Sequence, residues 1–404
     1  MSKITTQEVP ELRFADFSDL WKKNTLGEIA KFSKGKGISK SDITENGAYE
    51  CIRYGELYTE YNEIINEIKS KTDLNKKALV FSEENDVIIP SSGETQIDIA
   101  TASCILKSNV ALGGDLNIIK TPNNGIFLAY YLNNKKKKEI ASYAQGNSVV
   151  HLYSKQLALL NLNLPTLQEQ QKIANFLTAV DKNIHLLTQK KTLLEQYKKG
   201  VMQKIFNQEI RFQPDSQEEQ LAQAAEPSAA YGNNRYPDWK MKKLAEIATK
   251  ESSNISANTL AENTGKYKIY GATGLLQYVD FYRQEEKYIS IVKDGAGVGR
   301  TLLCEEKSSV LGTLDVIKPK IEVNIYFLYS ILNNINFTKY ITGSTIPHIY
   351  FKDYSKQKIE IPCLEEQHKI ATFLSALDDK ITNVQTQIDH YTTWKRGLLQ
   401  RMFV

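Results

Sequence analysis

Two stretches of the chain carry apolar residues in alternating steps of four and three. In the first, Ile173, Leu177, Val180, Ile184 and Leu187 are followed by Leu194, Tyr197, Val201 and Ile205. In the second they are Ile370, Leu374, Leu377, Ile381, Val384, Ile388, Tyr391, Trp394, Leu398 and Met402. This spacing predicts two long helices with narrow apolar stripes, the seam of a coiled coil. Helices of about 40 residues are about 60 Å long. Both stripes shorten at the same place, Leu194 to Tyr197 and Tyr391 to Trp394, a step that overwinds a supercoil locally. The shared irregularity predicts that the helices pair, as an antiparallel coiled coil that works as a strut. Lys191 stands where the second copy has Ile388 and weakens one layer. The plainer alternative is two long helices inside ordinary globular cores; the narrow stripe favours the strut. Pro165 and Pro362 mark the helix entries. The acidic residues that follow, Glu169 in the first and Glu365 and Glu366 in the second, suit the positive end of a helix dipole.

The helices belong to a larger duplication. LPTLQEQQKIANFLTAVDKNI (164–184) matches IPCLEEQHKIATFLSALDDKI (361–381) at a constant offset of 197, the distance from Pro165 to Pro362. YKKGVMQKIF (197–206) and WKRGLLQRMF (394–403) keep the register, as do GNSVVHLYSK (146–155) and GSTIPHIYFK (343–352). The openings also correspond: RFADF and WKKNTLGEIA (13–17, 21–30) resemble RYPDW and KMKKLAEIA (235–239, 240–248). Between these ends the halves diverge, although ALGGDLNIIK (111–120) and VLGTLDVIKP (310–319) remain alike. Residues 207–234 are rich in Gln, Ala, Ser and Pro and lack an apolar stripe, so a flexible linker is expected. The layout is an α+β fold with an internal pseudo-two-fold repeat. It places a first α/β domain over 1–163, a helix over 164–208, the linker over 209–234, a second α/β domain over 235–360 and a C-terminal helix over 361–404.

A chain of 404 residues, 41% hydrophobic, is long enough for about two or three globular units with real cores. It has no apolar run of about 18 residues, so no membrane span is expected. The opening MSKITTQEVPELRF does not read as a secretory signal, and a cytoplasmic location is expected. Cys51, Cys104, Cys304 and Cys363 lie far apart with no CxxC pair, which argues against a zinc knuckle or a disulfide framework. A net charge of +4 permits nucleic-acid binding without demanding it.

The motif Leu/Ile-Pro-x-Leu-x-Glu-Gln-x-x-Ile-Ala-x-Phe-Leu, present twice at the heads of the long helices, resembles that of type I restriction–modification specificity subunits. The resemblance extends over nearly all of the chain after about residue 13. IRYGELY (52–58) and IYGATGLLQYVDFY (269–282) are similar to tyrosine–glycine segments early in the family's recognition domains. IIPSSGETQ (88–96) and ISIVKDGAGVGR (289–300) resemble the strand and glycine turn in their middle; the first has Ser91, Ser92 and Glu94 where the second has Asp294 and a glycine series. The resemblance implies two target-recognition domains on helical spacers that dock two methyltransferase (M) subunits. It further implies a non-enzymatic chain that binds no cofactor itself. S-adenosylmethionine, ATP and Mg are expected on the M subunits and on restriction (R) subunits.

The residues agree with a lack of intrinsic chemistry. Gly35-Lys36-Gly37 lacks the upstream glycine of a phosphate-binding loop, and no Asn/Asp-Pro-Pro-aromatic methyltransferase motif is present. GAGVGR (295–300), with Asp315 about twenty residues beyond Gly295, resembles a dinucleotide fingerprint, but the residues after it read as strands instead of the helix such a site needs. Glu285-Glu286-Lys287 after Pro237-Asp238 is too widely spaced for a nuclease pattern, and the five histidines do not cluster for metal.

Specific DNA reading needs cations and amides on phosphates and planar donors and acceptors at base edges. In the first domain the candidates are Lys34, Lys36, Lys40, Arg53, Tyr54, Ser91, Ser92, Gln96, the run opened by Lys135 and Lys136, Gln145 and Asn147. In the second they are Lys266, Tyr267, Lys268, Tyr270, Lys293, Arg300, Ser344 and Thr345. His151 and His348 occupy matching repeat positions, suited either to fixing the joint between domain and helix or to touching DNA. Two unlike reading domains predict an asymmetric bipartite site on double-stranded DNA with an unread spacer. A specificity subunit of a methylation-only complex, a self-contained nuclease or methyltransferase, and a protein-only coiled-coil scaffold are the competing readings.

Overall fold

The computed structural model describes residues 9–146, 149–214, 235–260 and 265–404. The chain forms two compact units: the described residues up to Leu187 together with Gln387–Val404, and Thr188–Thr386. The first unit is built on a five-stranded sheet of β1 (Lys31–Lys34), β2 (Ile64–Ile65), β3 (Val87–Pro90), β4 (Ser103–Ile105) and β5 (Leu116–Lys120), in the order β1-β5-β3-β4-β2. All neighbours are antiparallel except β2 and β4. The second unit repeats the frame with four antiparallel strands, β6 (Ala248–Ser252), β7 (Tyr288–Val292), β8 (Thr301–Cys304) and β9 (Leu314–Pro319), in the order β6-β9-β7-β8. The central strands β3 and β7 are buried throughout, and apolar except for Ser290, because both faces are covered. Helix α1 (Gly125–Tyr131) covers the first sheet, and α3 (Ile325–Asn334) covers the second. Asn124 and Asn324 cap these helices, accepting from the N–H groups of Phe127 (2.8 Å) and of Tyr326 and Phe327 (2.8 and 3.0 Å).

The long helices are α2 (Leu167–Phe206) and α4 (Leu364–Arg401). In the first unit the core joins Ile173, Leu177 and Val180 of α2 to Leu398 of α4 and to Met402 and Phe403, which follow it. Phe176 also meets Trp394 edge-on at 5.9 Å. In the second unit Ile205 of α2 shares a core with Ile370, Leu374 and Leu377 of α4. Val384 is buried as well, whereas Ile184, Leu187, Lys191, Leu194, Ile381, Ile388 and Tyr391 are half-buried. Tyr197 and Trp394 depart from the expected stripe: each is 47% exposed. The next residues, Lys198 and Lys395, turn inward in their place, with side chains 20% and 17% exposed.

The repeated Glu-Gln pair does more than favour a helix dipole. Glu169 and Glu366 are fully buried. Arg13 Nε and Nη2 donate to the two Glu169 oxygens at 2.7 Å each, and the Trp21 indole adds a long bond of 3.4 Å. Arg211 Nε and Nη2 grip Glu366 at 3.1 and 2.7 Å, with Trp239 at 3.1 Å. Gln170 and Gln367 donate to the carbonyls of Pro165 (2.9 Å) and Pro362 (3.1 Å) and accept from the N–H groups of Asn124 (3.0 Å) and Asn324 (2.9 Å). The motif thus locks each helix start to its domain.

These contacts correct one correspondence. Arg13-Phe14 has its counterpart at Arg211-Phe212, not at Arg235-Tyr236. Phe14 stands edge-on to Phe176 at 5.6 Å, and Phe212 meets Phe373 at 5.7 Å. Leu12 N–H donates to Arg401 O, and Ile210 N–H to Lys204 O. Residues 209–214, expected to open a flexible linker, therefore form an ordered strap; the linker's remainder, 215–234, lies outside the described residues.

Candidate nucleic-acid interface

Each sheet ends in a set of loops held by the same backbone frame. After β3, Ser91 N–H donates to Asp115 O (2.8 Å), and Ser91 O accepts from Leu152 N–H (3.0 Å). After β7, Lys293 N–H donates to Thr313 O (3.0 Å), and Lys293 O accepts from Ile349 N–H (2.9 Å). His151 lies opposite Ser92, and His348 opposite Asp294. Ser91-Ser92-Gly93 and Lys293-Asp294-Gly295 are thus structural equivalents with different side chains. The frame is common, and the side chains at its equivalent positions differ.

The histidine loops are built alike too. Gln145 and His151 exchange backbone hydrogen bonds (2.9 and 2.7 Å), as do Thr342 and His348 (2.9 Å each). Gly146 and Gly343 have φ of +121° and +89°, and a Cβ there would come within 2.2 Å of Val149 O and 2.4 Å of Ile346 O. Only glycine fits, since both the left-handed backbone and the close carbonyl exclude a side chain. The loops leave Val149 and Ile346 exposed at their tips. His151 stacks near Tyr153 (6.3 Å) and His348 meets Tyr350 at 5.0 Å.

In the first unit Lys36 N–H donates to Leu112 O (2.9 Å) and Gly35 N–H to Leu116 O (3.1 Å), while Gly113 N–H donates to Ile52 O (2.9 Å). This brings Lys34, Lys36, Arg53, Ser91, Ser92, Gln145 and His151 to one edge, with Lys34 Nζ 5.9 Å above the Tyr153 ring. Gln96 opens a short exposed helix beside that edge, Gln96–Ile99. Ser91 and Ser92 are buried rather than displayed. Arg53 lies 3.8 Å from Glu56, and Tyr54 tilts against Tyr58. Lys40 sits on a separate turn, Lys40–Asp42, whereas Lys135 and Lys136 sit on the helical segment Leu132–Lys136, where Lys136 pairs with Glu139. Asn147 lies outside the described residues.

In the second unit the glycine turn joins the edge. Gly295, Gly297 and Gly299 all have positive φ, and strand β8 follows directly, so no helix N-terminus faces the turn. Arg300 Nη1 donates to Ala272 O at 2.9 Å and ties the turn to the hairpin end at Gly271–Gly274. Lys293, Arg300, Ser344, Thr345 and His348 are therefore neighbours through Gly295 N–H to Pro347 O (2.9 Å) and the frame above. The other candidates belong elsewhere. Lys268 holds both Glu305 oxygens at 2.7 Å, which keeps its ammonium above the ordinary lysine range. Tyr270 is buried, and burial pushes its hydroxyl up. Lys266 lies over the Tyr267 ring at 5.1 Å, and Tyr267 meets Tyr282 at 4.8 Å. The tyrosine–glycine segments also differ: Ile52 pairs with Leu112 where Tyr270 pairs with Val310, one residue out of the sequence alignment.

Beneath the frame lies a pair that sequence reading missed. Asn117 of β5 and Asp315 of β9 are equivalent and buried. The Asn117 amide donates to Leu152 O at 3.0 Å. Asp315 accepts from Ser252 Oγ (2.9 Å) and lies 3.4 Å from Lys293 Nζ and 3.7 Å from Lys250 Nζ. The signal was present in the matched strands ALGGDLNIIK and VLGTLDVIKP, where one alignment gap sets Asn117 against Asp315. Among the described residues no group of His, Cys, Asp and Glu side chains could hold a metal ion, and no helix is long and apolar enough to cross a membrane.

Comparisons with known proteins follow the same division. The sequence matches the type I restriction modification DNA specificity domain twice, over residues 18–196 and 236–390. It is 24% identical over 396 residues to the type I restriction enzyme MjaVIII specificity subunit of Methanocaldococcus jannaschii, covering 89% of this chain and 87% of that one. The MjaIX specificity subunit of the same organism is 25% identical over 301 residues, covering 68% and 67%. In fold, the chain resembles the type I restriction–modification S subunit from M. genitalium, with a TM-score of 0.67, 18% identity and coverage of 98% and 99%. A chain from a structural study of complex assembly and conformational transition in the type I R-M system gives a TM-score of 0.51 at 14% identity, covering 95% and 97%. With both halves matched, the chain belongs to the type I restriction modification DNA specificity domain family.

Proposed function

We propose that this chain is the non-catalytic reading subunit of a type I restriction–modification complex. It recognises an asymmetric, bipartite site on double-stranded DNA and docks two M subunits for adenine methylation and R subunits for ATP-dependent cleavage. The observation that carries the reading is the pair of loop edges built on one backbone frame with different exposed side chains, Lys34, Lys36 and Gln145 in the first against Arg300, Ser344 and Thr345 in the second. Two frames of one design suit two half-sites, and two side-chain sets suit two different sequences. In this reading residues up to 163 and 235–360 are the target-recognition domains, and α2 and α4 pair along their seams as an antiparallel coiled coil that spaces them. The sharing of one core by the start of α2 and the end of α4, and of another by the end of α2 and the start of α4, supports that pairing. Lys34, Lys36, Gln145 and His151 would face DNA in the first domain, with Lys293, Arg300, Ser344, Thr345 and His348 in the second.

The purified chain, given DNA, Mg²⁺, ATP and S-adenosylmethionine, is expected to show no turnover, and methylation is expected only with M subunits added. Selection from random duplexes by the chain with its M subunits should return one two-part motif; a one-part motif, or turnover by the chain alone, refutes the reading. Lys34→Met and Lys36→Met should each reduce the slope of log affinity against log salt by about 1, the value for one lost phosphate contact.

A further inference from the structure

Each unit holds a three-way junction whose members come from three separate segments: the aspartate and the lysine stand at matching places in the repeat, while the tyrosine comes from a different turn of the covering helix, six residues after Asn124 in the first unit and two after Asn324 in the second. In the first unit Asp181 of α2 receives Lys395 Nζ of α4 at 2.7 Å and the hydroxyl of Tyr130 from α1. In the second unit Asp378 of α4 receives Lys198 Nζ of α2 and the hydroxyl of Tyr326 from α3. Asp181 and Asp378 keep the repeat offset, as do Lys198 and Lys395, so the helices exchange roles between the units. Burial, and then the neighbouring aspartate, pushes both phenol groups far up, so each remains an O–H donor. In the first unit Lys395 also lies 5.3 Å over the Tyr130 ring and 3.5 Å from Glu63.

We propose that Lys395–Asp181–Tyr130 and Lys198–Asp378–Tyr326 are positioning clamps that determine which spacer length between half-sites the protein accepts. The proposal rests on the two-part reading above. Apolar stripes resist separation, but they do not strongly resist a small rotation or slide, because the hydrophobic effect is non-directional. An ion pair reinforced by a phenol hydrogen bond is directional. It also joins both helices to the helix lying directly under the reading sheet, α1 or α3. The consequence is a lever: a tilt of about 10° at the base of a strand about 20 Å long displaces its end by about 3.4 Å, one base-pair rise. Loosening the clamp should therefore blur spacer length while leaving each domain's base contacts intact.

The test uses the full chain with its M subunits. Half-sites and spacer are first read by selection from random duplexes, and binding is then measured on duplexes with those half-sites and spacers one or two base pairs longer or shorter. Lys198→Met with Lys395→Met, and separately Tyr130→Phe with Tyr326→Phe, should select the same half-sites but reduce the preference for the best spacer by about tenfold. The reversal Lys198→Asp with Asp378→Lys, made with Lys395→Asp and Asp181→Lys, should sharpen that preference again. The Tyr→Phe pair removes only two oxygens and decides the matter if the lysine variants fail to fold. Spacer preference as sharp as in the unaltered chain, or loss of half-site choice together with spacer choice, overturns the clamps. A selection with the unaltered chain that returns no two-part site sinks the preceding reading itself, a separate result.

Discussion

Replacing Arg211 by methionine tests whether the repeated motif is an anchor or a helix-dipole feature. Arg211 and Glu366 are nearly sealed from solvent, their side chains 7% and 0% exposed. The change removes both bonds to Glu366, 3.1 and 2.7 Å, together with those to the carbonyls of Pro237 (2.8 Å) and Tyr236 (3.4 Å), and leaves the Glu366 carboxylate with the Trp239 indole at 3.1 Å. Removing one partner of a buried ion pair costs about 3–5 kcal/mol, because the remaining charge stays desolvated. A favourable dipole position contributes only about 0.3–1 kcal/mol. For a unit of this size the larger figure corresponds to a fall in Tm of about 6–20 °C. Thermal unfolding followed with hydrogen exchange should show that fall, with faster exchange in peptides from 188–386. Replacing both partners, Arg211→Met with Glu366→Leu, should recover most of the loss, since no charge is then buried alone. A loss below about 1 kcal/mol for Arg211→Met would refute the anchor and restore the dipole reading.

Three further outcomes follow from the packing. Leu374→Ala, at a fully buried seam position, should cost about 2–5 kcal/mol by urea denaturation, whereas Tyr197→Ser, at an exposed one, should stay within about 0.5 kcal/mol. Gly295→Ala meets nothing within 4 Å of the added Cβ and should cost only the left-handed backbone penalty of about 1–2 kcal/mol. Gly299→Ala adds a clash 2.7 Å from Phe337 Cβ and should cost about 1–3 kcal/mol more in the same assay. Iodoacetamide at pH 8 should label Cys363 alone in the native protein, read by peptide mass, because burial pushes the Cys51, Cys104 and Cys304 thiols up to about 11, 12 and 11.

The sequence alone determined what periodicity and repetition encode. The two long helices, their constant offset and the strand-forming residues after GAGVGR are properties of neighbouring residues, set by side-chain spacing and backbone preference. Tertiary structure decided which group of each pattern faces inward. Tyr197 and Trp394 satisfy the apolar spacing yet face solvent, because Asp378 and Asp181, together with phenols from α3 and α1, offer Lys198 and Lys395 a polar place inside. Arg211 looked like part of a polar linker until folding brought it to Glu366, far along the chain. Likewise Lys268, a plausible DNA contact by type, is engaged by Glu305, whereas Lys293 is placed by Asp315 on a frame shared with Ser91. A side chain's partners in space carry no local signature, since burial and long-range pairing are fixed only when distant segments meet.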